Sequence, residues 1–278
     1  MKQVLKIGAV VRPVNLDYDL LAIKSFVHSI EELGFDYLLA YDIVSKTEHT
    51  PPPTSEPFVL ISYLAGLTNS LDFATGVIIL PSRQTLLVAK QAAEVDRLTG
   101  GRLRLGVAVG WNENEYQAMN SDFQVRGKLI EEQIAVMREL WTKPSVTFNG
   151  EYHNLDGIGI EPLPVQCPIP IWLGGYANTV LRRVARIGDG WLAHITTPES
   201  AGPIVERLQE YMEMEGRKQD DIGIGVCLDL HFSHDWGEYI QAWTDLGATH
   251  LDIDTTRAGL KSPQDHIEMI ENFKDEWL

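Results

Sequence analysis

Short β-rich runs alternate with helical periods eight times along this chain, and that alternation constrains the fold more than any single motif. Val4–Val11, Tyr37–Tyr41, Leu71–Leu80 and Leu103–Val109 read as strands in the first half. Between and after them, Asp19–Leu33, Pro57–Leu67, Leu86–Leu98 and Gln124–Trp141 carry apolar residues at three- and four-residue spacing. The second half repeats the scheme, with strands at Ile169–Leu173, Gly190–His194, Ile222–Leu230 and His250–Ile253. Its helices fall at Asn178–Ile187, Ala201–Met214, Gly237–Leu246 and Pro263–Trp277. Three helix exits share one punctuation, Leu33-Gly34, Ile187-Gly188 and Leu246-Gly247, each two or three residues before a strand. That spacing predicts glycine at C′ in an αβ loop. The last helix carries its own start signal, with Ser262 as N-cap, Pro263 at the first helical position and Asp265 three residues past the cap.

Eight βα units predict a closed parallel barrel rather than an open doubly wound sheet. An open nucleotide-binding sheet would want G-x-G-x-x-G after the first strand, where Gly8 stands alone. Length alone allows two domains, yet 278 residues also suit one (β/α)8 barrel. The expectation is a single domain over 1–278. One insertion interrupts it, at about 142–168 between units 4 and 5, with a hairpin turning at Asn149-Gly150.

The charge balance narrows the partners. Twenty-three Lys and Arg against 39 Asp and Glu give a formal charge of −16. A phosphate-tracking surface needs basic density, so no nucleic acid and no anionic membrane is expected. The longest apolar run, Phe58–Leu67, is too short to cross a bilayer. The N-terminal run lacks the length and cleavage site of a signal peptide. Cys167 and Cys227 form neither a disulfide framework nor a zinc pattern. The expectation is a reduced, cytoplasmic protein, and an apolar helix face left exposed on such a barrel predicts a homodimer.

A barrel of this kind places its site at the C-terminal ends of the strands. The candidates are Arg12, Tyr41-Asp42, Gly76 to Ser82, Gly110 to Glu115, Gly174-Gly175-Tyr176, His194, Asp229 to His231, and Asp252 with Asp254. Gly174-Gly175 before a helix suits close backbone approach and a phosphate at the helix start, or simply a tight βα turn. Gly76 inside an apolar strand marks a bulge or relieves crowding in the barrel, the second being the plainer reading. Asn112 and Asn114 offer amides to a flavin-type ring edge, or an N-cap to a short helix. His231 and His234 beside Asp229 and Asp235 are a weak seed for a metal site, and none is expected. Nor is there a G-x-S-x-G nucleophile elbow.

Several segments taken together resemble the luciferase-like monooxygenase superfamily. They are Thr75-Gly76-Val77-Ile78-Ile79-Leu80-Pro81, Ala89 to Asp96, Thr99-Gly100-Gly101-Arg102 to Val107, Pro170-Ile171-Trp172-Leu173-Gly174-Gly175, and Gly188-Asp189-Gly190-Trp191. Ala248-Thr249-His250-Leu251 and Ser262-Pro263 with His266 resemble the branch that uses the deazaflavin coenzyme F420. The resemblance implies a TIM barrel holding a flavin or deazaflavin at the strand C-termini. It implies a bulge with a non-prolyl cis peptide at Gly76-Val77. It also implies cofactor contacts from Asp42, Asn114, Gly174 and Gly175, and the strand-end position adds Tyr176 to the cofactor candidates. Sugar-phosphate dehydrogenases of the family carry histidine and glutamate where this chain has Ile43 and Trp111, so their acid–base pair is absent.

The expected activity is hydride transfer between reduced coenzyme F420 and a small organic substrate. Tyr41 and Trp111 would line the substrate pocket, and His194 would donate the proton. Two alternatives stay open: an FMN-dependent monooxygenase using reduced FMN and oxygen, and a non-catalytic cofactor-binding protein.

Overall fold

In the computed structural model, which describes residues 5–45, 54–193 and 197–278, parallel strands close a ring. Strand β1 (Lys6–Val10) pairs with β2 (Tyr37–Ala40) on one side and with β11 (His250–Asp254) on the other. From β2 the ring runs to β3 (Asp72–Thr75), then β5 (Leu103–Ala108), β8 (Ile171–Gly174), β9 (Gly190–Ala193), β10 (Gly223–Asp229) and back to β11. The expected third strand, Leu71–Leu80, is broken: β3 stops at Thr75 and a short β4 (Ile78–Ile79) rejoins β5. The break holds the cis peptide Gly76–Val77. The eight-stranded closed barrel is therefore the predicted (β/α)8 architecture.

Helices α1 (Leu20–Glu32), α2 (Pro57–Ala65), α3 (Thr85–Leu98), α5 (Arg126–Thr142), α6 (Asn178–Ile187), α7 (Pro198–Met214), α8 (Trp236–Asp245) and α9 (Pro263–Trp277) cover the outside. Their starts are set by local chemistry. Asp19 accepts from the amides of Leu21 and Ala22, Asp235 from that of Glu238, and Ser262 with Asp265 forms the expected capping box. Where one helix was expected at Gln124–Trp141, a short α4 (Glu113–Ala118) precedes α5. Asn112 sits at its N-cap position without a side-chain capping bond.

The αβ glycines divide. Gly34 and Gly247 take positive φ, as predicted, but Gly188 ends α6 in an extended conformation with φ −82°. It is needed for room: a Cβ there would lie 3.0 Å from Val184 O. The insertion holds the expected hairpin, β6 (Val146–Asn149) and β7 (Asn154–Ile158), joined through Gly150–His153. His153 pins that turn, with Nδ1 2.8 Å from Glu132 of α5 and Nε2 2.6 Å from Thr85 of α3.

The N-terminal end of the barrel is plugged. The Arg104 guanidinium lies between the Tyr37 and Trp172 rings, at 4.4 and 4.5 Å, and His250 packs on both rings. Glycines 8, 190 and 223 leave the space these rings occupy, since a Cβ at any of them would overlap Tyr37 or Trp172. Burial, with Arg104 and Lys6 nearby, drives the His250 pKa down to about 2, so its ring is neutral. With the lower half filled, the barrel's own opening is at the upper rim.

Candidate functional site

The rim is built asymmetrically. On the β4–β5–β8 side, small residues meet at the upper strand ends. A Cβ at Gly174 would sit 3.2 Å from Val77 and 3.6 Å from Ala108, so these three residues form a low floor beside the cis peptide. Behind it, Gly76 is forced by space, because a Cβ would lie 2.5 Å from Leu39 Cδ2. Both sequence readings of Gly76 thus hold at one residue: a strand break and a crowded barrel wall.

Gly175 follows with φ +115°, a conformation that favours glycine, and its carbonyl accepts a 2.7 Å bond from Trp191 Nε1. Helix α6 then begins at Asn178 without a side-chain cap, leaving its first amides pointing out of the helix end. Arg207 of α7 reaches Asn178 Oδ1 at 2.9 Å and brings a cation to that end. Tyr176 and Trp111 stand on the rim with 62% and 70% of their surface exposed.

The opposite side of the mouth is acidic and hydroxylic. Tyr41, at the end of β2, donates a 2.9 Å bond to Asp254 Oδ2, and its hydroxyl is 3.7 Å from Cys227 Sγ. Asp254 Oδ1 is held by the Thr256 amide. Burial, and then the neighbouring Asp254 and Asp252 carboxylates, push the Cys227 thiol pKa well above its usual value, so this thiol is protonated. Asp229 pairs with Arg257 at the end of β10.

Asp42, at the end of β2, is tied into the rim by an ion pair. It is 7% exposed, and both carboxylate oxygens meet Arg83 Nη2 at 2.9 and 3.0 Å. The Ile79 amide donates to Oδ2 as well. Burial raises the Asp42 pKa and Arg83 opposes the rise. The pair ties the end of β2 to the segment after β4, so Asp42 acts on the rim's shape. Beside it lies a pocket of ≈100 Å³ lined by Asp42, Ile79, Trp111, Asn112, Glu115 and Tyr116. Asn112 enters this lining, with Nδ2 buried and unpartnered among the described residues, whereas Asn114 is exposed on α4. His194 lies outside the described residues.

Of the residues singled out in the sequence, Val77 and Gly174 meet on the floor, Gly76 lies behind it, Gly175 follows it, and Tyr41 sits on the acidic side of the mouth. Sequence reasoning missed Arg83, one residue beyond the strand-end segment; a lone arginine after Pro81-Ser82 carries no local signal of its partner. His231 and His234 do not join into a metal cluster. Among the described residues no group of three or more His, Cys, Asp or Glu side chains could hold an ion. Their rings pack on Phe232, Trp236 and Tyr239 instead.

The sequence profile described as luciferase-like monooxygenase matches residues 12–250. The chain belongs to the luciferase-like monooxygenase family. An uncharacterised protein of Mycobacterium tuberculosis is 38% identical over 165 residues, 59% of this chain and 57% of its own length. Pyrimidine monooxygenase RutA of Allorhizobium ampelinum is 27% identical over 208 residues, covering 70% of this chain and 56% of that protein. The chain thus matches little more than half the length of these curated luciferase-like relatives. Among solved structures, the coenzyme F420-dependent tetrahydromethanopterin reductase of Methanopyrus kandleri superposes with a TM-score of 0.80 at 15% identity, covering 99% of this chain and 98% of that one. An F420-dependent secondary alcohol dehydrogenase superposes at 0.79 with 16% identity, over 98% of both chains. These likenesses establish a shared barrel. No helix among the described residues is long and apolar enough to cross a membrane.

Proposed function

We propose that this luciferase-like chain is an oxidoreductase that binds a deazaflavin, coenzyme F420, across the floor of Val77, Ala108 and Gly174. The floor carries the reading: three strand ends stripped of large side chains give a planar ring a backbone-lined seat. The open end of α6, with Gly174-Gly175 leading into it and Arg207 alongside, suits the phosphate of the cofactor tail. Bound there, a reduced deazaflavin supplies hydride chemistry to a small organic substrate.

The chain's own residues position and shield. Trp111 and Tyr176 offer aromatic surface above the seat, where a substrate would displace water from their rings. Tyr41 is kept protonated, since burial and the adjacent Cys227 and Asp254 push its pKa well above 10. Its hydroxyl is a poor acid, and with its O–H donating to Asp254 it would meet a substrate as an acceptor; the proton donor we propose is His194.

Two observations leave FMN as the second reading. His250 and His266, which carry the likeness to the F420 branch, are structural in this fold. His250 belongs to the barrel plug, and His266 is buried against Thr255 at 2.8 Å. Pyrimidine monooxygenase RutA, a sequence relative, is an oxygenase by its name. Equilibrium titration of the purified protein with F420 and with FMN, followed by cofactor fluorescence, tests both. Tighter binding of F420, weakened by Gly174→Leu, is the expected result. Preference for FMN with oxygen uptake selects the monooxygenase, and binding of neither cofactor overturns the proposal.

A further inference from the structure

A second binding feature lies outside the barrel mouth, between α8 and α9. Helix α9 packs mainly against α1, and its other side borders a groove of ≈600 Å³. That volume is within the range of small-molecule sites. The groove follows the stripe Asp265, Glu268/Met269, Asn272/Phe273 and Glu276/Trp277, repeating at three and four residues, so it runs the length of the helix, about 18 Å.

Its floor is aromatic. Trp236 and Phe273 are both buried and meet edge to face, with centroids 5.3 Å apart. Trp277 closes the lower end over Gly237, where a Cβ would lie 3.4 Å from its ring. His234, stacked on Tyr239 at 4.4 Å, closes the upper end.

The edge is acidic. Asp265, Glu268 and Glu276 line the groove, and no lysine or arginine is among its lining residues. Two nearby cations are committed elsewhere, while Lys261 follows the lining residue Leu260 in the loop before α9. Lys274 of the same helix donates to the Leu33 carbonyl on the α1 side, and Arg257 pairs with Asp229. Asp265 spends its carboxylate on the Lys261 and Ser262 amides, and Glu268 Oε1 accepts from the neutral Gln264 amide at 3.3 Å, which leaves the charges of Glu268 and Glu276 to the groove. Eight residues separate them, about 12 Å along the axis. Electron-rich ring faces between two carboxylates favour a cation with an apolar body. A second copy of this chain is a poor occupant, because it carries the same −16.

We propose that the α8–α9 groove binds an elongated organic cation of the linear polyamine class, whose terminal ammonium groups reach Glu268 and Glu276 while its methylenes lie over Trp236 and Trp277. An extended linear triamine covers a length comparable to the separation of the two carboxylates. The groove's upper end is the loop after β10, which also carries Asp229 to the barrel mouth, so occupancy would order a segment of the rim.

The test is calorimetric titration with spermidine at about 0.15 M salt, where screening over roughly 8 Å removes most diffuse attraction to an acidic protein. Trp236 and Trp277 emission provides a second readout. One saturable site is expected. It weakens about tenfold in Glu268→Gln/Glu276→Gln, as loss of two partly exposed ion pairs implies. It also weakens in Trp277→Ala. It is unchanged in Glu206→Gln/Glu210→Gln, which removes the same charge from α7, and is not reproduced by neutral 1,8-octanediol. Thermal melts verify that each variant is folded. Non-saturating binding, equal weakening in both double variants, or no heat at millimolar spermidine would overturn the proposal.

Discussion

Replacing Arg83 with methionine isolates the Asp42 carboxylate at the rim, and the cost can be worked from its surroundings. The Asp42 side chain is 1% exposed, with Arg83 as its bidentate partner and the Ile79 amide as its remaining donor. Breaking a buried pair from one side costs about 3–5 kcal/mol, because a charge stays behind without compensation. Protonation sets a ceiling on that cost. Neutralising a carboxyl whose unfolded pKa is about 3.9 takes about 4 kcal/mol at pH 7 and only about 1.5 kcal/mol at pH 5, at about 1.36 kcal/mol per unit. The sign follows from linkage: with Arg83 gone the folded pKa rises further above the unfolded one. The folded state then binds more protons, and the variant loses stability as pH rises. Urea unfolding of Arg83→Met should therefore show a deficit of about 3–4 kcal/mol at pH 7 that shrinks to about 1.5 kcal/mol at pH 5. Arg83→Met/Asp42→Asn should recover most of it, since no charge is left buried. A deficit that is the same at both pH values, or a double variant no better than the single, would refute the electrostatic reasoning.

Two further outcomes follow from the barrel interior. Between pH 7.5 and 5 the neutral His250 ring cannot take up the proton that its unfolded counterpart binds near pH 6.5. The folded protein should therefore lose about 2 kcal/mol that His250→Phe does not lose, measured by urea unfolding at the two pH values. Gly106→Ala should destabilise by about 2–3 kcal/mol with no rescue by ligand, because the added methyl would overlap the Thr75 carbonyl oxygen and lie 2.8 Å from Leu192; thermal melts read this directly.

The parts of this molecule that could be read in its sequence are those that local chemistry decides. Helix periodicity, the Ser262–Asp265 capping box and the alternation of eight strands each depend on residues a few positions apart, and each appears in the structure near its expected place. Gly174 and Gly175 were legible for the same reason, since a glycine pair at a strand end constrains its own backbone. What escaped were pairings across the ring. Asp42 meets Arg83 over 41 residues and Tyr41 meets Asp254 over 213, and no spacing rule links such partners. Gly188 shows the same limit in the backbone, because its sequence context matches that of Gly34 and Gly247, yet its role comes from contact with Val184. The consequence for function is specific. The aspartate at the end of β2 is paired in the fold with an arginine that its motif does not announce, and the pair helps to frame the mouth. In the proposed reading, a ligand meets the residues whose backbone or ring surface remains open, the Val77–Gly174 floor, Trp111 and Tyr176, with the Tyr41 hydroxyl facing the substrate.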